Sequence, residues 1–279
     1  MIRLLRPAFP ALSVHRMAQL LGVSRSLVYR GLRLQQASVL LPVVEQIVMT
    51  FLGYGYRRVL RELRARGYVC TEYGVRGLLR DQGLLARRPK SRGVTRASVR
   101  DLRAANLLKG LSVHSTDEVW VGDTSLIPTQ AGPLYLAVLM DLYSRKIVSW
   151  HLSRRNDESL TRACLDQALL TRRPGQGWIH HSDRGSPYTA LAYTRHIRQT
   201  GGRVSLSRPG CPLENAHVES FFRTLKLEEV DRNRYTCFLE AETALERYID
   251  GLYNARRMHS SIGYTSPDQF EAQFAGDAQ

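Results

Sequence analysis

The chain has four cysteines in 279 residues, Cys70, Cys164, Cys211 and Cys237, with no close pair among them. That scatter excludes a disulfide framework and a zinc knuckle, and it suits a reducing compartment. Long apolar runs are missing too. Val39 to Val44 is short and interrupted by Pro42, well under the roughly 20 residues that a membrane helix needs. No signal-peptide core or cleavage site opens the chain, and no internal repeat or low-complexity tract runs through it. The expectation is a cytoplasmic protein with no membrane partner, whose 43% apolar residues suffice for a packed core.

Acidic residues are scarce in one region only. Residues 1–110 hold 21 Lys/Arg against 5 Asp/Glu, a net of +16, and residues 111–279 hold 19 against 20, a net of −1. The whole basic excess therefore sits in the N-terminal part, as expected of a region that binds a polyanion. A merely soluble, arginine-rich surface is the alternative, because charge alone is not specific.

Residues 12–34 read as a helical hairpin. Val14, Met17, Leu20 and Leu21 form one stripe, Gly22-Val23 a turn, and Ser24 an N-cap for a second helix with Leu27, Val28 and Leu32. The pattern is that of a helix-turn-helix over residues 1–36, with Arg25, Arg30 and Arg33 facing out; an ordinary hairpin is the alternative. Residues 37–86 form a second helical unit with apolar stripes at Val44, Ile47, Val48 and Phe51, at Val59, Leu60 and Leu63, and at Val75, Leu78 and Leu79. Its outward positions are crowded with arginine, Arg57, Arg58, Arg61, Arg64, Arg66, Arg76 and Arg80. Residues 87–111, with Arg87, Arg88 and Lys90, read as a basic linker able to track a phosphate backbone. From residue 112 the texture changes. Strands are expected at 118–127, 134–142, 146–152, 178–180 and 203–206, and helices at 157–170, at 191–199 and after Pro212. Three strands followed by alternating helices and strands imply an α/β mixed sheet with helices on both faces, in a domain spanning 112–274.

Within that domain three carboxylates sit in distinctive local sequence. Asp123 lies in Trp120-Val-Gly-Asp-Thr, Asp183 in His180-His-Ser-Asp-Arg-Gly-Ser and Glu219 in Glu214-Asn-Ala-His-Val-Glu-Ser-Phe-Phe. Asp123 is expected on a buried strand face, where an acid is costly unless paired or metal-bound. Asp183 follows a short strand, at the end where α/β sheets place their sites. Glu219 shares one helix edge with Asn215 and Lys226, both placed to reach bound phosphate. Three acids so gathered can hold divalent cations for phosphoryl transfer. Taken singly, Asp183 could be a turn residue and Glu219 a solvated one. Asp141, ending an apolar strand, reads as structural, and Glu214 and Asp117 read as surface. Arg256, Arg257 and His259 either meet nucleic acid or pack the last helix.

Several stretches carry a family resemblance: Trp120-Val-Gly-Asp-Thr-Ser, Gly132-Pro-Leu-Tyr-Leu-Ala-Val, Asp141-Leu-Tyr-Ser-Arg, His180-His-Ser-Asp-Arg-Gly-Ser, Asn215 through Lys226, and Tyr253-Asn-Ala-Arg-Arg-Met-His-Ser-Ser-Ile-Gly-Tyr264. In that order they closely resemble the DDE transposases of the retroviral-integrase superfamily, in particular the OrfB-type protein of bacterial insertion sequences. Tyr54-Gly-Tyr-Arg-Arg58 and Leu21-Gly-Val-Ser-Arg-Ser26 extend the likeness upstream, so it covers nearly the whole chain. Gly122, Ser125, Pro187 and Glu214 depart from the usual residues, and no departure removes an acid.

The resemblance implies an RNase H-like five-stranded sheet preceded by an all-α basic DNA-binding region. It implies Asp123, Asp183 and Glu219 as catalytic residues that hold two Mg²⁺ ions roughly 3.5–4 Å apart, with Mn²⁺ able to substitute. Lys226 follows as the basic residue one helical face beyond Glu219. The expected activity is cleavage and strand transfer of insertion-sequence ends. The partners would be double-stranded DNA, further copies of the chain on that DNA, and an upstream OrfA product as a fusion, in a nucleoid-associated setting. A non-catalytic DNA-binding regulator and an RNase H-like nuclease without strand transfer are the rival readings.

Overall fold

The computed structural model describes residues 9–22, 39–85, 104–208 and 211–275. The second helix of the expected helix-turn-helix, with Arg25 and Arg30, and the linker residues Arg87, Arg88 and Lys90 lie outside them. The chain divides into two compact units, Met1–Arg88 and Pro89–Gln279.

In the first unit, α1 (Val14–Leu20) is capped by Ser13, whose hydroxyl accepts from the Arg16 amide at 3.2 Å. A helix over residues 39–50 (α2) leads to α3 (Tyr56–Ala65) and α4 (Glu72–Asp81). Each of these three turns its expected apolar stripe inward: Val44 and Ile47, then Val59, Leu60 and Leu63, then Val75, Leu78 and Leu79 are buried. Six of the seven arginines are left exposed, Arg58 being half-buried.

The second unit is built on a five-stranded sheet, β1 (Val119–Ile127), β2 (Leu134–Asp141), β3 (Ile147–Ser153), β4 (Ile179–Ser182) and β5 (Arg203–Leu206), in the order β3-β2-β1-β4-β5. β1 runs antiparallel to β2, and β2 to β3, whereas β1–β4 and β4–β5 are parallel. The mixed sheet is thus as the order of elements predicts. Helices α5 (Glu158–Arg172), α6 (Ser186–Thr189) and α7 (Leu191–Gln199) cover one face, over Trp120, Ala137, Leu139 and Trp178. On the other face α8 (Ala216–Glu228), α9 (Phe238–Glu246) and the π-helical turn Arg247–Asn254 pack on Val119, Val121, Val138 and Ile179. Cover on both faces explains why β2 reads as the unbroken apolar run Leu-Tyr-Leu-Ala-Val-Leu-Met, while edge strand β3 alternates. The last helix, α10 (Pro267–Ala275), is clamped by Arg172, which forks onto Glu271 at 2.7 and 2.9 Å and also holds Asp117 at 2.8 Å.

Part of the expected linker belongs to this unit. Ala105 accepts from the Leu206 amide, and the Leu107 amide donates to Ser205 Oγ at 2.9 Å, which docks that stretch along β5.

Candidate active site

The three acids are brought to one end of the sheet by strand register and by one helix. Gly122 of β1 pairs with Ser182 of β4, so Asp123 and Asp183 are the next residues on two neighbouring parallel strands. β1 is fully buried from Val119 through Gly122, half-buried at Asp123, Thr124 and Ser125, exposed at Leu126 and buried again at Ile127. Asp123 follows the buried Val119 and Val121 on its strand face, and its carboxyl is itself desolvated although the residue as a whole is half-exposed. One oxygen of Asp123 accepts from the Thr124 amide at 2.7 Å, and Asp183 Oδ1 accepts from the Gly185 amide at 2.8 Å. Glu219 is exposed on α8, whose buried stripe is Val218, Phe221, Phe222 and Leu225, as periodicity predicts.

The acids share an electrostatic field. Burial, then the charge of Asp183, push the Asp123 carboxyl up to about 8; Glu219 raises it further, while the Thr124 amide and Lys226 pull it down. Burial also raises Asp183 against the Gly185 hydrogen bond, and burial and then Asp183 raise Glu219. Like charges that resist ionisation together suit a hard cation with oxygen ligands. Among the described residues, no three Asp, Glu, His or Cys side chains are already gathered tightly enough to enclose an ion.

The wall behind the acids comes from residues whose place the sequence did not disclose. A Cβ on Gly122 would come within 3.1 Å of Leu139, 3.2 Å of Tyr188 and 3.3 Å of His180, so any larger residue beside Asp123 would have to push these side chains back by a few tenths of an ångström. His180 sits on that face with Nε2 hydrogen-bonded to the Tyr193 hydroxyl at 2.9 Å; burial pushes its imidazole down to about 3, so it is neutral. His181 points to the opposite face, within 2.8 Å of Ser205 Oγ, and burial lowers it to about 4. Alternation along β4 separates the two rings, as the adjacent positions predict.

Several candidates land elsewhere. Asn215 is 3% exposed and donates to the Gly122 carbonyl at 3.3 Å, a strand contact in place of the expected phosphate contact. His259 is buried against Tyr253 with ring centroids 4.7 Å apart, inside the fold instead of on a DNA-facing surface. Its neighbour Arg256 is exposed, and Lys226 is half-buried near Asp123. Arg57 is exposed, and Arg58 lies over the Tyr54 ring. Asp141 is structural, as read: it is fully buried and accepts from the amides of Asp117, Tyr143 and Ser144 at 2.7, 3.0 and 2.8 Å. Asp117 and Glu214, expected as plain surface residues, are both engaged, the first by Arg172 and the second by the Arg208 amide at 2.7 Å.

A mixed five-stranded sheet with helices on both faces is the architecture of an integrase-type catalytic core. The family model described as "Integrase core domain" matches residues 113–212, and a second model of that description matches 200–267. Among curated proteins, the transposase for insertion sequence element IS904 of Lactococcus lactis is 38% identical over 221 residues, covering 78% of this chain and 87% of that protein. The IS600 31 kDa protein of Shigella sonnei is 34% identical over 92% of this chain and 98% of its own length. Transposase InsF for IS3A of Escherichia coli is 35% identical, over 78% and 76%. The chain belongs to the insertion-sequence transposases that carry an integrase core domain, and it is an enzyme of DNA transposition, of the polynucleotidyl-transferase type. A core of this family depends on divalent metal. Solved structures with similar folds include a simian T-cell lymphotropic virus intasome (14% identity, TM-score 0.46, 85% of this chain and 74% of that one) and the BIV integrase catalytic core (16%, 0.40, 58% and 97%). Among the described residues, no helix is long and apolar enough to cross a membrane.

Proposed function

We propose that the chain cuts the DNA ends of its own insertion sequence and joins them to target DNA, with Asp123, Asp183 and Glu219 as the catalytic carboxylates. The observation that carries this reading is the β1–β4 register, which sets Asp123 and Asp183 side by side, together with the rise of Asp123 under the charges of Asp183 and Glu219. The acids fit two Mg²⁺ ions, with Mn²⁺ able to replace them, because three carboxylates that repel one another are a hard-oxygen donor set. Bound there, such ions supply Lewis-acid charge to the attacking and leaving oxygens of an in-line displacement.

The residues of the chain do the rest. Water in the cleavage step, and a DNA 3′-hydroxyl in the joining step, displaces the leaving 3′-oxygen directly, so no side chain is esterified. Ser186 and the buried Tyr188 are not required as nucleophiles. Lys226 offsets the negative charge beside Asp123 and faces the phosphate next to the broken bond. Arg57, Arg58 and Arg256 hold backbone phosphates, as do Arg25, Arg30, Arg87, Arg88 and Lys90. The working form is a homo-oligomer on double-stranded DNA, near the nucleoid, with an upstream OrfA product joined to this chain as a fusion.

The experiment supplies a duplex of the element end with a free 3′-hydroxyl and a supercoiled target, in Mg²⁺, to this chain alone and to the fusion. Joined product supports the transposase reading. Hydrolysis without joining favours a nuclease, and binding without either favours a regulator.

A further inference from the structure

One helix of the first unit presents a face that the strand chemistry does not use. α4 buries Val75, Leu78 and Leu79, so at 100° per residue its outer face is centred on Tyr73, Gly77 and Arg80, with Arg76 beside them. Tyr73 is 73% exposed, and Arg76 and Arg80 are exposed. Arg76 is not loose on this face. Its guanidinium lies over the Tyr56 ring at 5.6 Å, and Arg57 lies over the same ring at 5.4 Å, so one aromatic organises two cations on a shared surface. Arg80 leans on Asp81 at 3.3 Å, an exposed contact that competes weakly with a phosphate.

Gly77 is the second, independent observation. Glycine inside a helix is less favourable than alanine. A Cβ at Gly77 would meet nothing within 4 Å, so no contact among the described residues explains it. Gly74, by contrast, faces the capping hydroxyl of Thr71 at 3.2 Å. A gap in the side-chain ridge, flanked by an exposed tyrosine and two arginines, lets the helix backbone approach a surface that the flanking side chains then grip. The partner is a polyanion, since residues 1–110 carry a net charge of +16. An α-helix with this profile matches the major groove.

We propose that α4 is the helix with which this protein reads double-stranded DNA sequence: Gly77 permits the close approach, Tyr73 and Arg76 meet base edges, and Arg80 and Arg57 hold the flanking phosphates. The proposal rests on the reading of the chain as acting on DNA, but it concerns choice of site and not the chemistry.

The test selects bound molecules from a pool of randomised duplexes with the full chain in EDTA, and then measures the affinity of variants for the enriched duplex and for random duplex. Wild type should enrich a defined motif. Gly77→Ala should melt at the same or a higher temperature and yet lose roughly 10-fold or more in affinity for the enriched duplex, and Arg76→Ala should lose preference at about one base pair. Arg80→Ala and Arg57→Ala should weaken all duplexes alike, each lowering the slope of log K against log salt by about one. Absence of any enriched motif, or wild-type motif and affinity in Gly77→Ala and Arg76→Ala, overturns the proposal. The selection needs neither metal nor the acids, so its failure is distinguishable from failure of strand transfer.

Discussion

The side-chain amide of Asn215 donates to the carbonyl of Gly122 across 3.3 Å in the interior of the second unit. This bond fixes the start of α8, which carries Glu219, to β1 at the residue before Asp123. The sequence suggested that Asn215 reaches phosphate; the structure makes it a positioning residue for the helix. Losing a buried hydrogen bond of this type costs about 1–3 kcal/mol. Asn215→Ala is therefore expected to lower stability to urea by that amount and to slow end cleavage, with affinity for duplex DNA unchanged. A fall in DNA affinity at unchanged stability would restore the phosphate role.

Metal-free stability should carry the signature of Asp123. Its folded carboxyl is held up near about 8 against an ordinary value of 3.8. A group raised in this way stabilises the fold fully below its unfolded value and loses that contribution as pH rises through the folded one. His180 and His181, pushed down to about 3 and about 4, act in the opposite sense, but only below their ordinary value of 6.5. Between pH 6.5 and 8 the EDTA-treated protein is thus expected to lose stability with rising pH, by at most about 1.4 kcal/mol per unit from this group. Asp123→Asn should flatten that slope. Over the same window Mg²⁺ affinity should climb with pH, because the ion displaces the proton. Thermal melts and metal titrations at several pH values check both.

The parts of the fold legible in the sequence are those where one face of an element decides its place. The stripes of α3, α4 and α8 and the alternation of β3 show it, and strand β1 with its acid was readable from local motif. What stayed hidden depends on contacts between distant segments. Nothing near Asn215 announces a carbonyl 93 positions away on β1. Gly122 departs from the family pattern, and only the fold shows that a Cβ there would press on Tyr188 and His180. Asp117 looked like surface because its partner, Arg172, lies 55 residues on.

Glu228 and Arg257 form an ion pair whose side chains are 3% and 4% exposed, closed at 2.8 Å and completed by the Tyr248 hydroxyl at 2.7 Å. Arg257 was a candidate for either DNA contact or packing, and packing is what it does here. Removing one partner of such a pair strands the other charge, at a cost of about 3–5 kcal/mol. Arg257→Met alone should destabilise by that amount in urea denaturation. Pairing it with Glu228→Met should recover most of the loss. Equal destabilisation of the single and double variants would show that the pair is not coupled.

The central claim is that Asp123, Asp183 and Glu219 act as one metal-dependent unit. The measurement is end cleavage and joining in Mg²⁺ by Asp123→Asn, Asp183→Asn and Glu219→Gln, with duplex binding followed in parallel. Each variant is expected to lose both reactions while still binding DNA, and no pair of changes should cost much more than one. Cleavage and joining at wild-type rate in any of the three would contradict the account.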